Sequence, residues 1–300
     1  SRASASRQRL SKRPARSDTG TSKDEIAEQA DVKMPQHPLL ENLESKSLRE
    51  LVHIREVLFA SRKKRQINRQ LAETVLIRIT ISAQAEPGNR ELRIQSSLGL
   101  TNPVVFQVGQ FPEVEELEPN NQRADENMPN LARIVGDSDM LKVKPIELPA
   151  ILNGQIMPGD IDRFRFTASR GQKLVIETHA RALIPYLADA VPGWFQAVVT
   201  LYDDKGKEVA YADDYRFQAD PVLLYEIPRS GEYELQIHDS IYRGREDFVY
   251  RISVSERPFI TRMFPVCGRR NHRTTALIKG WNLEQKELTL DTKQGKGFIR

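Results

Sequence analysis

Apolar and polar residues alternate in short runs between residues 150 and 256. Phe164 and Phe166 stand between arginines, and Leu174 and Ile176 alternate with polar neighbours in the next run. Alternation with a period of two predicts strands that bury one face. Because Gly, Pro and Asp bound these runs at close intervals, we predict antiparallel strands arranged as a β-sandwich, and therefore a mainly β fold.

Two acidic segments lie at the start of this region. Residues 115–121 read Glu-Glu-Leu-Glu-Pro-Asn-Asn, and residues 159–162 read Gly-Asp-Ile-Asp and lead into a predicted strand. Ca²⁺ takes six to eight oxygen ligands from carboxylates, amides and carbonyls, so two such loops joined by a sheet would form a calcium site. The alternative is a pair of solvated acidic turns, which are common in proteins.

The order of several motifs resembles the bacterial pre-peptidase C-terminal (PPC) domain, over residues 115–255. The motifs are Glu-Pro-Asn-Asn at 118–121, Asn-Gly-Gln-Ile at 153–156, Gly-Asp-Ile-Asp-Arg-Phe at 159–164, Leu-Tyr-Asp-Asp-Lys-Gly at 201–206 and Gly-Glu-Tyr-Glu-Leu at 231–235. The resemblance implies a jelly-roll-like antiparallel β-sandwich of the kind appended to secreted proteases and collagenases. It also implies bound Ca²⁺, with ligands at Glu116, Glu118, Asn120, Asp160, Asp162 and the Gln155 backbone carbonyl.

The flanking segments resemble parts of immunoglobulin-like TIG/IPT modules. Residues 73–109, with Ile77, Ile79 and Ile81 alternating, are similar to the closing strands of such a module, and residues 258–292 are similar to its first strands. The layout resembles large modular surface or secreted proteins of planctomycete bacteria, so we interpret the chain as an excerpt of a longer protein. The predicted regions are a disordered basic arm (1–37), a helical linker (38–72), closing TIG-like strands (73–112), a PPC-like sandwich (113–256) and the start of a second TIG-like module (257–300).

A long insert at residues 180–196 departs from the PPC pattern and carries prolines and aromatic residues. Exposed rings on a proline-stiffened loop would make a ligand-binding surface, because they offer large contact areas at low entropy cost. That surface would consist of Tyr186, Trp194, Phe195 and, from a later loop, Tyr215. The alternative, which we favour, is that Leu183, Leu187 and Trp194 fold back and close the core of the sandwich.

The N-terminal region differs in composition from the sandwich. Six arginines and lysines precede the first acidic residue, Asp18, in a background too poor in apolar residues to fold. Ser47 and Glu50 form a capping-box pattern before a short amphipathic helix, and a basic cluster follows at residues 62–65. This cluster lacks the interleaved aromatic residues of a stacking platform, so we predict no nucleic-acid partner.

Composition and motif searches limit which classes of stabilisation, membrane association and catalysis are possible. The net charge of +4 and the pI near 9.1 owe much to the basic arm, and the single cysteine, Cys267, excludes an internal disulfide framework. No apolar run is long enough to span a membrane. None of the five histidines lies in a zinc motif, and no nucleophile elbow, phosphate loop or dinucleotide fingerprint is present.

Together these observations predict a non-catalytic module of a secreted or cell-envelope protein. We expect a Ca²⁺-stabilised adhesion or targeting module that contacts neighbouring modules of its own chain and recognises an extracellular protein or polysaccharide. The alternative is an accessory domain of a secreted protease or other hydrolase whose catalytic domain lies outside these 300 residues.

Overall fold

The computed structural model describes most of the sandwich and parts of its flanks. The described residues are 37–46, 50–51, 54–55, 58, 75, 77–118, 144–184 and 195–291. Nearly all of the predicted basic arm lies outside these ranges. Residues 50, 51 and 54 are α-helical, within the predicted N-terminal helix. Short 3₁₀ turns occupy Pro38–Leu40, Leu43–Ser45 and Arg181–Leu183.

Strands dominate the described part of the chain. They are β1 (Gly88–Leu92), β2 (Gln95–Ser96), β3 (Gly99–Leu100), β4 (Val104–Val108), β5 (Glu113–Glu115), β6 (Ala150–Gln155), β7 (Asp162–Ala168), β8 (Lys173–His179), β9 (Ala197–Tyr202), β10 (Glu208–Ala212), β11 (Val222–Glu226), β12 (Gly231–Asp239), β13 (Val249–Ser255), β14 (Phe259–Phe264), β15 (Arg273–Trp281) and β16 (Glu287–Asp291). No helix in these ranges has the length and apolar character needed to cross a membrane.

Two sheets form the central sandwich. One has the strand order β10-β9-β12-β7, and the other has the order β11-β8-β13-β6-β5. All neighbours are antiparallel except β5, which runs parallel to β6 and places Glu113 opposite Ile151. This arrangement confirms the predicted mainly β sandwich.

The alternation in β7 shows why these residues form a sandwich. Phe164 and Phe166 are buried, whereas the arginines between and beside them are partly exposed. Opposite them on β12, Leu235 and Tyr233 point into the same core. Burying each such side chain stabilises the folded state by about 1.5–3 kcal/mol relative to leaving it exposed. Among the residues that the structure describes, 22 buried ones form one continuous cluster.

Smaller sheets flank the sandwich. On the N-terminal side, β1 pairs with β4 to form a two-stranded sheet, which we call the first ribbon, and β2 pairs with β3 at its tip. On the C-terminal side, β14, β15 and β16 form a three-stranded antiparallel sheet. The alternating isoleucines Ile77, Ile79 and Ile81 do not form a strand, and their side chains are 42–49% exposed. Alternation alone is insufficient there, because a strand also requires a hydrogen-bonded neighbour.

Gly244 lies in the loop before β13, where two backbones pass very close together. An ideal Cβ on Gly244 would lie 1.9 Å from the carbonyl carbon of Met157 and 2.4 Å from the nitrogen of Pro158. Neither backbone atom can rotate away as a side chain would. We therefore expect Gly244→Ala to destabilise the protein by about 1–3 kcal/mol, measured by urea unfolding. Gly231→Ala is the control, because no atom lies within 4 Å of its Cβ position.

Candidate metal centre

An acidic cluster lies where the segment after β5 passes the beginning of β7. The backbone N–H of Glu116 donates to the carbonyl of Asn153 at 2.9 Å, which continues the pairing between β5 and β6 by one residue. Glu118 follows two residues later, and Asp162 is the first residue of β7. Strand pairing therefore brings together carboxylates that are far apart in the sequence.

One ligand oxygen from each of Glu116, Glu118 and Asp162 lies within 4.8 Å of the other two. Asp162 is completely buried, whereas Glu116 and Glu118 are half-buried. Glu116 follows directly on β5, and Glu118 lies at a bend two residues later. We call these three residues the carboxylate cluster.

Two donors hold the cluster in place. The Tyr250 hydroxyl lies 2.6 Å from Asp162 Oδ2 and 3.4 Å from Glu116 Oε2, so its single proton is donated to Asp162. The backbone N–H of Gln155 donates to Glu116 Oε1 at 3.0 Å. The other oxygen of Asp162, Oδ1, is buried and has no hydrogen-bond partner. An unsatisfied buried oxygen of this kind is costly and requires an explanation.

Gly154 makes the close approach between Tyr250 and Glu116 possible. A Cβ at this position would lie 2.2 Å from the Tyr250 hydroxyl oxygen and 2.4 Å from Glu116 Oε2. Any other residue would push these two groups out of place. The Asn-Gly-Gln stretch of β6 therefore contributes space at residue 154 and a backbone donor at residue 155.

The environment raises the pKa values of the clustered carboxyl groups. Burial raises the pKa of Glu116 from its usual 4.5 to about 7, and the negative charges of Glu118 and Asp160 act in the same direction. Burial, followed by the charge of Glu116, raises the pKa of Asp162 well above its ordinary value. Burial also raises the pKa of the Tyr250 hydroxyl, so it remains a proton donor. Without a counter-charge, the cluster therefore disfavours ionisation.

A bound cation reverses this preference, because its charge stabilises each ionised carboxylate. The donor set consists of hard oxygens, which suits Ca²⁺ or Mg²⁺ rather than metals that prefer nitrogen or sulfur. Asp162 Oδ1 would gain a partner on binding. The residues present are therefore chemically suited to hold a divalent cation.

Three other predicted ligands have different positions. Asp160 is buried, with Oδ2 accepting from the Met157 N–H at 3.1 Å and Oδ1 from the Ile161 N–H at 3.1 Å, so it organises the turn before β7. Gln155 holds Glu116 through its backbone N–H, and its side chain donates to the Glu246 carbonyl. Asn120 lies outside the described residues.

One residue of the predicted aromatic surface is buried in the core. Phe195 is 2% exposed and stacks on Phe248 with a centroid distance of 5.2 Å, so its prediction as an exposed ligand contact is wrong. The ring fills the core because the apolar run of β9 begins two residues later and faces the same interior. Tyr215 is half-exposed and packs edge-on against Phe259. Tyr186 and Trp194 lie outside the described ranges.

Sequence reasoning missed Tyr250 and Gly154. Tyr250 occupies an inward position of β13, in phase with Ile252 and Val254. A tyrosine at such a position signals a buried partner for its hydroxyl, since buried tyrosines nearly always have one. That partner is Asp162.

Comparisons with known proteins give fold-level likenesses at low identity. No family model matches the chain, and no curated protein is similar to it in sequence. Similar solved structures include the pre-peptidase C-terminal domain of a collagenase from Bacillus anthracis, with 16% identity over 38% of this chain and 95% of that chain, and a TM-score of 0.28. Periplasmic inhibitors of g-type lysozyme are similar too. The Escherichia coli protein, a PliG mutant, has 18% identity over 35% of this chain and 85% of that chain, with a TM-score of 0.24. The Aeromonas hydrophila protein has 15% identity over 38% and 96%, with a TM-score of 0.25.

Proposed function

We propose that this chain is a non-catalytic binding module of a secreted or cell-envelope protein, and that Ca²⁺ held by the carboxylate cluster stabilises its fold. The observation that carries the metal proposal is the buried Asp162 Oδ1, which has no hydrogen-bond partner and belongs to a group of three carboxylates within 4.8 Å. A buried carboxylate without a partner for one oxygen is stable only if it is protonated or bound to a cation.

Ca²⁺ suits this cluster better than Mg²⁺. Glu116 and Glu118 come from the segment that follows β5, and Asp162 is the first residue of β7, so the donors are brought together by sheet pairing rather than by one compact loop. Ca²⁺ accepts variable geometry and six to eight oxygens, some of them from water or backbone carbonyls. Mg²⁺ demands a near-ideal octahedron and retains its water.

The role of the cation would be structural. Residues 113–118 connect the first ribbon to the sandwich, and Arg251 already binds Glu113 at 2.6 Å on the outer face of the sheet. A cation shared by Glu116, Glu118 and Asp162 would hold residues 116–118, the part of this connection that follows β5, against β7. The module would then present a rigid surface to an extracellular protein or polysaccharide and to neighbouring modules.

The test compares two single carboxylate substitutions on the same segment. Glu118→Gln removes one negative charge from the cluster and replaces a carboxylate oxygen by an amide nitrogen, so it should weaken Ca²⁺ binding at least tenfold, which lowers the calcium-dependent stabilisation by about 1.4 kcal/mol. Glu115→Gln changes an exposed carboxylate three residues earlier and should leave the response unchanged. Both are measured on the full chain by thermal unfolding in Ca²⁺, in Mg²⁺ and in chelator.

An equal calcium-dependent shift of the unfolding temperature in the two variants would show that the carboxylate cluster is not the metal site. A wild-type protein whose unfolding temperature is the same in Ca²⁺ and in chelator would overturn the metal proposal altogether. A larger response to Mg²⁺ than to Ca²⁺ would correct the identity of the ion.

A further inference from the structure

A cleft lies between the first ribbon and the outer face of the five-stranded sheet. Its volume is about 270 Å³, close to the lower end of the range of roughly 300–1,000 Å³ that is typical of small-molecule sites. The ribbon contributes Asn89 and Gln107 to one wall. The sheet contributes the opposite wall, and Phe111 and Arg257 also line the cleft. We call this space the ribbon cleft.

The sheet wall is a square of four polar side chains. In the register between β13 and β8, Arg251 pairs with His179 and Ser253 pairs with Glu177. Directly opposite residues of neighbouring strands point to the same face, so all four side chains share the outer face. Their half-exposed state agrees with this position above the buried core.

Part of the lining is already fixed by hydrogen bonds. The Gln107 amide donates to Asn89 Oδ1 at 3.1 Å and lies 3.5 Å from His179 Nδ1, which links the ribbon to the sheet. Arg251 is held by both carboxylate oxygens of Glu113, at 2.6 and 2.7 Å. Preorganised walls lower the entropy cost of binding a ligand.

Other groups in the ribbon cleft retain hydrogen-bonding capacity. Within the described part of the chain, neither the Ser253 hydroxyl nor the Arg257 guanidinium has a hydrogen-bond or ion-pair partner, although Arg257 lies over the Phe111 ring at 5.7 Å. The contact between Glu177 and His179 Nε2 is 3.7 Å, longer than a hydrogen bond. The cleft therefore offers a carboxylate acceptor, a guanidinium donor and a hydroxyl that does both.

Charge and polarity indicate the class of ligand. Glu113 neutralises Arg251, and Glu177 offsets Arg257 within the same cleft, so there is no excess of positive charge to select an anion. Hydroxyl groups donate and accept at once and so match a mixed lining of this kind. We propose that the ribbon cleft binds one ring of a neutral saccharide, with Glu177, Ser253 and Arg257 as its polar contacts.

This inference rests on the proposed binding role and gives it a location and a ligand class. The ring would lie against β8 and β13. A ligand bearing a carboxylate would approach Arg257 but would be repelled by Glu177, which separates the saccharide proposal from an acidic one.

The experiment is calorimetric titration of the full chain with chitobiose, cellobiose and maltose as neutral probes and digalacturonate as the acidic probe. At least one neutral disaccharide should bind at millimolar concentration or below. Glu177→Gln and Ser253→Ala should each weaken that binding about fivefold to tenfold. Glu226→Gln, an exposed carboxylate on the neighbouring strand β11, is the control and should bind as the wild type does.

Absence of binding by every neutral probe, binding of digalacturonate alone, or unchanged affinity in both cleft variants would overturn the saccharide proposal. Titrations in Ca²⁺ and in chelator, with thermal unfolding of the same samples, separate this result from the metal proposal. A calcium response without saccharide binding would support the metal site and overturn the saccharide proposal. Saccharide binding without a calcium response would support the saccharide proposal and overturn the metal site.

Discussion

Ionisation of Glu116 should cost the metal-free protein on the order of 3 kcal/mol of unfolding free energy as the pH rises from about 4.5 to about 7. Burial raises the pKa of Glu116 to about 7 in the folded state, whereas the unfolded chain has the usual value near 4.5. Between these values the folded state holds a proton that unfolding releases. Stability is therefore greatest below about 4.5 and falls as the pH passes through the folded value.

Urea unfolding in chelator at a series of pH values measures this slope. Glu116→Gln should reduce this slope, because the glutamine side chain has no proton to lose, while the raised pKa of Asp162 maintains the remainder. In saturating Ca²⁺ the wild-type slope should disappear, since the cation favours the ionised carboxylates. Metal-free stability that is constant or rises across this pH window would contradict the prediction.

The sandwich was predictable because its signal is local. The alternation of Phe164 and Phe166 with arginines specifies both a strand and its buried face, and β7 has the pattern that was expected. The acidic turn at residues 159–162, which leads into β7, is predictable from the sequence for the same reason. Each conclusion needed only residues within one strand length of each other.

The geometry of the cluster depends on contacts that no local pattern contains. Tyr250 reaches Glu116 across 134 residues of sequence, through the register of β13 on β6. That register places Gly154 directly opposite Tyr250 and so creates the space for its hydroxyl. A one-residue slip would turn every one of these side chains to the other face.

One aromatic residue and one group of isoleucines show that a local sequence pattern does not always predict where side chains lie. Its position in an insert predicts Phe195 to be a surface ring, yet it packs on Phe248 in the core. Ile77, Ile79 and Ile81 alternate as a strand does, yet they lie outside any sheet among the described residues. In both cases the outcome depends on which neighbour is available, and the neighbour is distant in sequence.

The effect of Asp162→Asn on the unfolding free energy should reverse its sign between calcium-free and calcium-bound protein. Without metal, the substitution replaces a buried carboxyl group by a neutral isostere. Burial and the charge of Glu116 raise the pKa of Asp162, so the folded state must hold a proton that asparagine does not need, and we expect the variant to be as stable as the wild type or more stable. In Ca²⁺ at a hundredfold excess over the dissociation constant, the wild type gains about 2.7 kcal/mol that the variant lacks.

The matched control is Asp239→Asn, since Asp239 is equally buried but fully bonded. Its oxygens accept from the Gln196 and Ile241 N–H groups and from the backbone and guanidinium of Arg243, at 3.0–3.2 Å. Asparagine there loses a charged hydrogen bond and should destabilise the protein by about 1.5–3 kcal/mol with or without calcium. The measurement is the unfolding free energy of both variants, relative to the wild type, in Ca²⁺ and in chelator. A change of sign with calcium at Asp162 alone identifies Asp162 as a cation ligand. Equal losses of stability at both positions would mean that Asp162 has only the structural role that Asp239 has.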